Sequence, residues 1–298
     1  MKKIYSASIT PFTEKGDIDK KSMEKLLEFN MARGIGGFFF LGTMGEWAVQ
    51  NSRMKQDVLQ TASEIIGDKA EIIVGAHSTG LHGIFENIDN YSKYNCTSFA
   101  VQLPGGWAKP KNPVEYMHKI ADYSSKPIYL YYIPGVNGIT FSKEQFADLF
   151  AHPNIIGVKN SSDSLRARKE LFLLKKSVDF LLFEGQEWVV DESLALGCDG
   201  ALVGMAPLGA KLFRKIADSV DSGDLKQAAD YQKIMIDIFD GIYGPGLTSV
   251  WAGQKYALKL LDIFSSAKVL VPAEEDALTD TVKKRIENCL NTYRDYIV

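Results

Sequence analysis

Eight short apolar segments alternate with longer amphipathic segments over residues 1–223, and this alternation limits the possible folds more than any other feature of the chain. Most of the short segments are apolar throughout, which is typical of strands buried on both faces of a parallel sheet. The predicted strands are Tyr5–Thr10, Gly37–Leu41, Glu71–Ala76, Ser98–Leu103, Ile128–Tyr132, Ile155–Lys159, Phe180–Phe183 and Ala201–Val203. Eight strand-then-helix units with short connections predict an α/β fold, a (β/α)8 TIM barrel. The alternative is a doubly wound open sheet, but no G-x-G-x-x-G segment opens a helix, as that fold would favour.

The rest of the chain is predicted to be helical. Three segments, Asp224–Ile238, Leu247–Phe264 and Glu274–Tyr296, have helical patterns, and Pro245 and Pro272 separate them. We therefore divide the chain into a (β/α)8 catalytic barrel over residues 1–223 and a C-terminal three-helix extension over residues 224–298.

Composition excludes several classes of function. The 298 residues carry a net charge of -3, which gives no electrostatic basis for binding nucleic acid or an anionic membrane. No apolar run reaches the roughly 18 residues that a membrane span needs. Cys96, Cys198 and Cys289 lie far apart and are expected to be buried free thiols in a reducing cytoplasm. The four histidines show no metal-ligand spacing, so we expect no metal.

A single lysine ends the sixth predicted strand. In Ile155–Lys159, four apolar or small residues precede Lys159, and polar residues follow it. A lysine in this position has its amine at the mouth of an apolar interior, where burial disfavours the ammonium form. A neutral amine is a nucleophile, and with a ketone or aldehyde it forms a Schiff base. The alternative is a lysine whose stem packs while its charged head reaches water.

Other candidate residues follow other strands, because reactive groups in such a barrel lie at the carboxyl ends of its strands. Residues 42–46 (Gly-Thr-Met-Gly-Glu) predict a tight turn whose amides can converge on a carboxylate. The alternative is a barrel turn without a binding role. Tyr131 either relays a proton beside the lysine or packs as core. His77 is as consistent with a structural role as with a substrate contact. Two further segments, Glu184–Glu187 and Gly204–Met205, follow the last two strands.

Three of these segments match the motifs of a known family in the right order. They are Gly42-Thr43-x-Gly45-Glu46, Tyr131-x-Ile133-Pro134 and Gly157-Val158-Lys159. With them, the chain resembles over nearly its whole length the dihydrodipicolinate synthase / N-acetylneuraminate lyase family of class I, pyruvate-dependent aldolases. The C-terminal helical extension also fits this resemblance.

The resemblance implies a reaction and a role for each motif. Lys159 would condense with the ketone of pyruvate or another 2-keto acid, and Tyr131 would relay protons. Thr43, with the amides of Met44 and Gly45, would hold the keto-acid carboxylate. The enzyme would form or cleave a carbon–carbon bond between pyruvate and an aldehyde without an external cofactor. The resemblance also implies a homo-oligomer, a tetramer or a dimer.

Three departures from the synthase branch of the family argue against dihydrodipicolinate synthase itself. Met44 replaces a hydroxyl residue that bonds the carboxylate. Val136 stands where that branch has an arginine that binds the carboxylate of the second substrate. The loop after the fourth strand has Trp107 and no tyrosine to lend across a subunit interface. We retain the synthase only as an alternative.

The lyase branch fits better but not completely. It has an aliphatic residue at the position of Val136, and Gly185 and Glu187 partly match its sugar-binding segment. Trp188 replaces the second acid of that segment, and Met205 replaces a serine after the eighth strand. We therefore expect an N-acetylneuraminate-lyase-like aldolase, and these two differences argue against sialic acid itself as the substrate.

Two further alternatives remain. One is a hydratase-aldolase that releases an aromatic aldehyde, which the bulky Met44 and Trp107 would suit. The other is a non-catalytic member that binds a keto acid. Retention of Thr43, Tyr131 and Lys159 together speaks against the second alternative, since a binding protein needs no nucleophile.

Overall fold

Eight parallel strands close into a barrel in sequence order in a computed structural model, which describes residues 1–298. The predicted barrel is thereby confirmed. The strands are β1 Lys3–Ala7, β2 Gly37–Phe40, β3 Glu71–Gly75, β4 Ser98–Val101, β5 Ile128–Tyr132, β6 Ile155–Asn160, β7 Leu181–Glu184 and β8 Gly200–Val203. The largest error in the strand prediction concerns β1, which ends before the predicted Ser8–Thr10, although the Ser8 amide still donates to the carbonyl of Phe39.

The barrel interior is rich in aromatic rings, and glycines make room for them. Side chains alternate along a strand, so Tyr129 and Tyr131 of β5 both point inward. The register pairs Tyr129 with Gly157 of β6, where a Cβ atom would lie 2.9 Å from the tyrosine ring. The same register pairs Tyr131 with Lys159. Lys159 therefore occupies the inward position directly above the Tyr129–Gly157 layer.

Helices alternate with the strands around the barrel, and three more follow it. They are α1 Lys20–Met31, α2 Ser52–Ile66, α3 Leu81–Ser92, α4 Pro113–Tyr123, α5 Pro134–Asn137, α6 Lys143–Ala151, α7 Leu165–Lys175, α8 Val190–Leu196, α9 Ala206–Asp221, α10 Leu225–Tyr243, α11 Val250–Leu260 and α12 Asp280–Ile297. Several of these helices begin at an N-cap residue whose side chain accepts a backbone N–H, as Asn51 does for α2. At the start of α6, Ser142 forms a capping box with Gln145. No helix combines the length and apolar composition needed to cross a bilayer.

Helices α10, α11 and α12 form the predicted C-terminal extension. The predicted boundary at residue 223 coincides with the connection between α9 and α10, but one hydrophobic core runs through both parts. Ile238 and Leu258 of the extension belong to the same buried cluster as Phe213 of the barrel. The extension is therefore packed onto the barrel as part of a single core.

All three predicted helices of the extension were wrong at an end, and α10 continues to Tyr243, past the predicted Ile238. Before α8, Glu187–Val189 forms a 3-10 turn, in which the Glu187 carboxylate accepts backbone amides of the next loop. The helix predicted at Leu247–Phe264 is shorter, since Leu247 and Asp262 adopt left-handed φ angles of 58° and 57°. The last predicted helix starts too early, because Pro272–Glu274 is a separate 3-10 turn.

Candidate active site

Lys159 lies at the carboxyl end of β6, inside the mouth of the barrel. It is 5% exposed, and its Nζ lies 4.4 Å from the ring centroid of Tyr131 and 5.1 Å from that of Phe39. None of the ion pairs in the structure includes this amine. A nearly buried lysine held between aromatic rings and free of a carboxylate is available to react with a small molecule.

Tyr131 and Thr43 form a hydrogen-bonded pair beside this lysine. The Tyr131 hydroxyl lies 3.1 Å from Thr43 Oγ1, although β5 and the turn after β2 are distant in sequence. Parallel strands bring their carboxyl ends to one rim of the barrel, which explains why residues from separate strands meet here. The pair can pass a proton between two hydroxyl groups at the lysine.

The turn that carries Thr43 has an unfavourable backbone at both of its ends. Leu41 has a φ of 56° and Glu46 a φ of 57°, in the left-handed region that non-glycine residues rarely adopt. Each such residue costs on the order of 1–3 kcal/mol and persists only where surrounding contacts enforce it. The turn therefore depends on contacts from outside itself.

Barrel residues supply some of these contacts. The carbonyl of Gly45 accepts hydrogen bonds from Thr10 Oγ1 at 2.9 Å and from Gln50 Nε2 at 2.5 Å, and all three residues are buried or nearly so. The carbonyl of Thr43 accepts the amide of Glu46 at 3.0 Å. The amides of Met44 and Gly45 donate to no group of the protein, so both are available for carboxylate binding.

Gly185 lies directly behind Lys159. A Cβ atom at this position would lie 2.2 Å from Ser161 Oγ, 2.8 Å from the Asn160 carbonyl and 3.1 Å from Lys159 Cε. Glu184 fixes the glycine, because its Oε1 accepts the Gly185 amide at 3.0 Å. The lysine stem therefore packs against a backbone position that has no room for a side chain.

Glu187 and Met44 meet at the turn after β8. Glu187 Oε1 accepts the amides of Gly204 at 2.6 Å and Met205 at 3.1 Å. Burial raises the pKa of Glu187, while these amides and the charge of Lys159 act in the opposite direction. A Cβ atom on Gly204 would lie 2.8 Å from Met44 Cγ. Met44 therefore packs over this turn, and one oxygen of Glu187 is occupied by the backbone.

His77 follows β3 and is neutral. Its Nδ1 accepts the Gln102 amide at 2.9 Å, so the proton lies on Nε2, which is buried without a hydrogen-bond partner. Burial, together with the charges of Lys159 and Lys55, lowers the pKa of His77 to about 3. Its ring is 5.7 Å from that of Tyr131. His77 therefore belongs to the wall behind the tyrosine.

The side chains of Val136, Trp107 and Met205 lie outside this cluster, although Trp107 lines the same cavity as His77. Val136 on α5 is 61% exposed, and Trp107 is fully exposed beside a cavity of about 400 Å³ that Trp47 and Leu103 also line. The side chain of Met205 is buried in the large core cluster, so only its amide reaches the site.

Two side chains at the site were absent from the sequence-based prediction. Ser161 follows Lys159 by two residues, and its position just after a strand was a usable signal. Phe39 of β2 points into the barrel against Lys159 and Tyr131. Phe39 looked like an ordinary apolar strand residue, so the sequence held no signal for it.

Comparison with known proteins agrees with the family resemblance. The model of the Dihydrodipicolinate synthetase family matches residues 1–290. A 4-hydroxy-tetrahydrodipicolinate synthase from Thermosipho africanus is 27% identical over 288 residues, which cover 94% of this chain and 97% of the relative. A probable 2-dehydro-3-deoxy-D-pentonate aldolase from Escherichia coli is 27% identical over 246 residues, covering 80% of this chain and 81% of the relative.

The fold comparison agrees. The structure of dihydrodipicolinate synthase from Bacteroides thetaiotaomicron aligns with a TM-score of 0.90 and 21% identity, covering 98% of each chain. All three sequence motifs lie inside the part of the chain that these comparisons cover.

Proposed function

Because the chain belongs to the dihydrodipicolinate synthetase family, we propose that it forms or cleaves a carbon–carbon bond between pyruvate and a hydroxylated aldehyde. The family consists of pyruvate-dependent lyases and aldolases of class I, and this chain is an enzyme of that kind. The observation that supports the assignment is the geometry of Lys159, whose amine is nearly buried, free of ion pairs and 4.4 Å from the Tyr131 ring.

In the proposed reaction the Lys159 amine attacks the ketone carbon of the 2-keto acid, and water leaves as the imine forms. Tyr131 supplies and accepts the protons of this step through its bond to Thr43. The keto-acid carboxylate is bound by Thr43 and by the amides of Met44 and Gly45, which fixes the ketone beside the amine. The carbon chain is held at the inner end of the mouth, against Phe39.

The protonated imine then accepts the electrons of the bond that breaks. In the cleavage direction, Tyr131 removes the proton of the substrate hydroxyl, an aldehyde leaves, and the bonding pair becomes the enamine. Protonation of the enamine and attack of water on the imine release pyruvate and regenerate Lys159. Synthesis follows the same steps in reverse, and no external cofactor takes part.

A hydroxylated aldehyde is favoured over the substrate of the synthase. Val136 offers no positive charge for a second carboxylate, whereas the Ser161 hydroxyl lies next to Lys159 and can bind a substrate hydroxyl. The relative from Escherichia coli is named as a probable aldolase of a deoxy sugar acid, which supports the same substrate class.

A substrate panel tests this proposal. Pyruvate release is measured from 2-keto-3-deoxy sugar acids, from N-acetylneuraminate and from an aromatic aldol adduct of pyruvate, and pyruvate consumption is measured with aspartate semialdehyde. We expect the highest kcat/KM with a 2-keto-3-deoxy sugar acid. Turnover with aspartate semialdehyde alone would make the enzyme a dihydrodipicolinate synthase. Thermal protection by pyruvate without turnover or imine would make it a binding protein.

The family resemblance also leads us to propose a homo-oligomer, a tetramer or a dimer, in the cytoplasm. The full exposure of Trp107 beside an apolar-lined cavity supports an assembly, because large exposed aromatic rings mark interaction surfaces. The three buried free cysteines suit a reducing compartment. Light scattering on the purified protein measures the assembly, and a monomer at micromolar concentration would contradict it.

A further inference from the structure

Helix α11 of the C-terminal extension reaches the turn that carries Thr43. Trp251 Nε1 donates to the Thr43 carbonyl at 3.1 Å, and Lys255 Nζ forms a buried ion pair with the Glu46 carboxylate. Trp251 and Lys255 are four residues apart, so they lie on the same face of the helix. That face therefore contacts the turn on both sides of Gly45.

The ion pair joins three parts of the chain. Both of its side chains are completely buried, and Lys255 Nζ also donates to the Lys268 carbonyl at 2.9 Å. Glu46 Oε2 accepts the amides of Leu270 at 2.7 Å and Val271 at 3.2 Å. Glu46, at the strained end of the turn, is thus bound to α11 and to the segment that follows it.

The helix itself is fixed at its first turn. Glu274 accepts the amides of Val250 at 2.7 Å and Ala252 at 2.8 Å, which places a carboxylate at the positive end of the helix. Gln254, on the adjoining part of the helix surface, donates to the Gly204 carbonyl at 2.9 Å. The extension is therefore hydrogen-bonded to two of the turns at the mouth of the barrel, those after β2 and β8.

From these contacts we propose that Trp251 and Lys255 are positioning residues for keto-acid binding, and that the extension enforces the left-handed turn from which Thr43 and the amides of Met44 and Gly45 bind the carboxylate. The inference rests on the proposed function. Its physical reason is that a backbone with unfavourable φ angles at both ends relaxes when an external hydrogen bond is removed. Relaxation moves the amides and the Thr43 hydroxyl, while Lys159 on β6 stays in place.

The test is the pyruvate dependence of imine trapping in the Trp251→Phe variant. Phenylalanine keeps an aromatic ring but has no N–H donor, and the Thr43 carbonyl retains its bond from the Glu46 amide. Each protein is mixed with pyruvate and sodium borohydride, and the labelled fraction is measured by intact mass. We expect the half-saturating pyruvate concentration to rise about three- to tenfold, as for the loss of one hydrogen bond, with complete labelling at saturation.

The matched control is Tyr256→Phe on the same helix, which removes a hydroxyl that donates to Glu287 at 2.7 Å on the exposed side. It should leave the half-saturating concentration unchanged. A second variant, Glu46→Gln combined with Lys255→Met, removes the ion pair without leaving a single buried charge and should also raise the half-saturating concentration.

The outcomes separate the two proposals. If Trp251→Phe and the double variant have the same half-saturating pyruvate concentration as the wild-type protein, the positioning role is wrong. If they show lower labelling at every concentration with the same half-saturation, the contacts are structural only, and the positioning role is again wrong. If the wild-type protein takes no label at any concentration, the proposed function fails, and the inference fails with it.

Discussion

Replacing Gly185 with alanine introduces a methyl group between the turn after β7 and the stem of Lys159. Gly185 does not adopt a left-handed φ angle, so the substitution tests space and not backbone conformation. The new Cβ would lie 2.2 Å from Ser161 Oγ, which can rotate away, and 2.8 Å from the Asn160 carbonyl oxygen, which cannot. The clash therefore has to be relieved by movement of the backbone.

The size of this movement follows from the contact distances. Real Cβ contacts essentially never fall below 3.0 Å, so β6 or the turn must shift by at least 0.2 Å, and Lys159 Cε, 3.1 Å from the same point, shifts with it. A misplacement of 1 Å costs about 100-fold in rate, so on a logarithmic scale a shift of about 0.2–0.5 Å corresponds to a loss of roughly 2.5- to tenfold. Overpacking of this kind also lowers the free energy of unfolding by about 1–3 kcal/mol.

The assay is the rate of borohydride-trapped imine formation at saturating pyruvate, together with urea unfolding. Gly135→Ala is the matched control, since a Cβ at Gly135, in the short helix α5 that follows β5, meets nothing within 4 Å. We expect a rate roughly 2.5- to tenfold slower for Gly185→Ala and the wild-type rate for Gly135→Ala. A wild-type rate and stability in Gly185→Ala would refute the packing of the lysine stem against this glycine.

Three further predictions concern neighbouring groups. Tyr131→Phe should slow imine formation by about 10²–10⁴-fold and leave thermal stability unchanged, so an unaltered trapping rate would remove Tyr131 from proton transfer. Lys255→Met should lower the free energy of unfolding by about 3–5 kcal/mol because it leaves the Glu46 charge buried and unpaired. Adding Glu46→Gln should recover part of this loss. Strictly additive losses of the two substitutions in urea unfolding would contradict the coupling between Lys255 and Glu46. The unfolded chain protonates His77 below about pH 6.5, whereas the folded chain does so only near the lowered pKa of about 3. The free energy of unfolding should therefore decrease as the pH is lowered through that window, by up to about 1.4 kcal/mol per pH unit. Urea unfolding at several pH values should show a shallower fall for His77→Asn, and an equal fall would contradict the neutral buried histidine.

The sequence was sufficient for the barrel and for the expectation that Lys159, Tyr131 and Thr43 lie close together. The strands are short apolar segments that alternate with longer amphipathic segments. This local pattern alone predicts the order of the eight strands. The proximity of these three residues could be expected because each ends or follows a strand, and parallel strands bring those ends to one rim. The ends of elements were less predictable, as at α11, which is shorter than predicted because Leu247 and Asp262 adopt left-handed φ angles.

The contacts that support the site could not be predicted in the same way. Glu46 was recognised as part of a motif, but its partner Lys255 is 209 residues away and lies in a helix with an ordinary amphipathic pattern. The bond from Trp251 to the Thr43 carbonyl spans 208 residues. Such pairs depend on how the extension docks on the barrel, and no local periodicity encodes that docking. The exposure of Val136 and Trp107 also depends on loop conformation, which residue type alone does not determine.

The central claim is that Lys159 is the nucleophile that forms an imine with a 2-keto acid. The most direct test is to treat the protein with pyruvate and borohydride, digest it and locate the label by peptide mass spectrometry, with Lys159→Ala as the control. The account predicts a reduced pyruvyl adduct on the peptide that contains Lys159, and no adduct and no turnover in the folded variant. A label on another lysine, or aldol chemistry retained by Lys159→Ala, would contradict it.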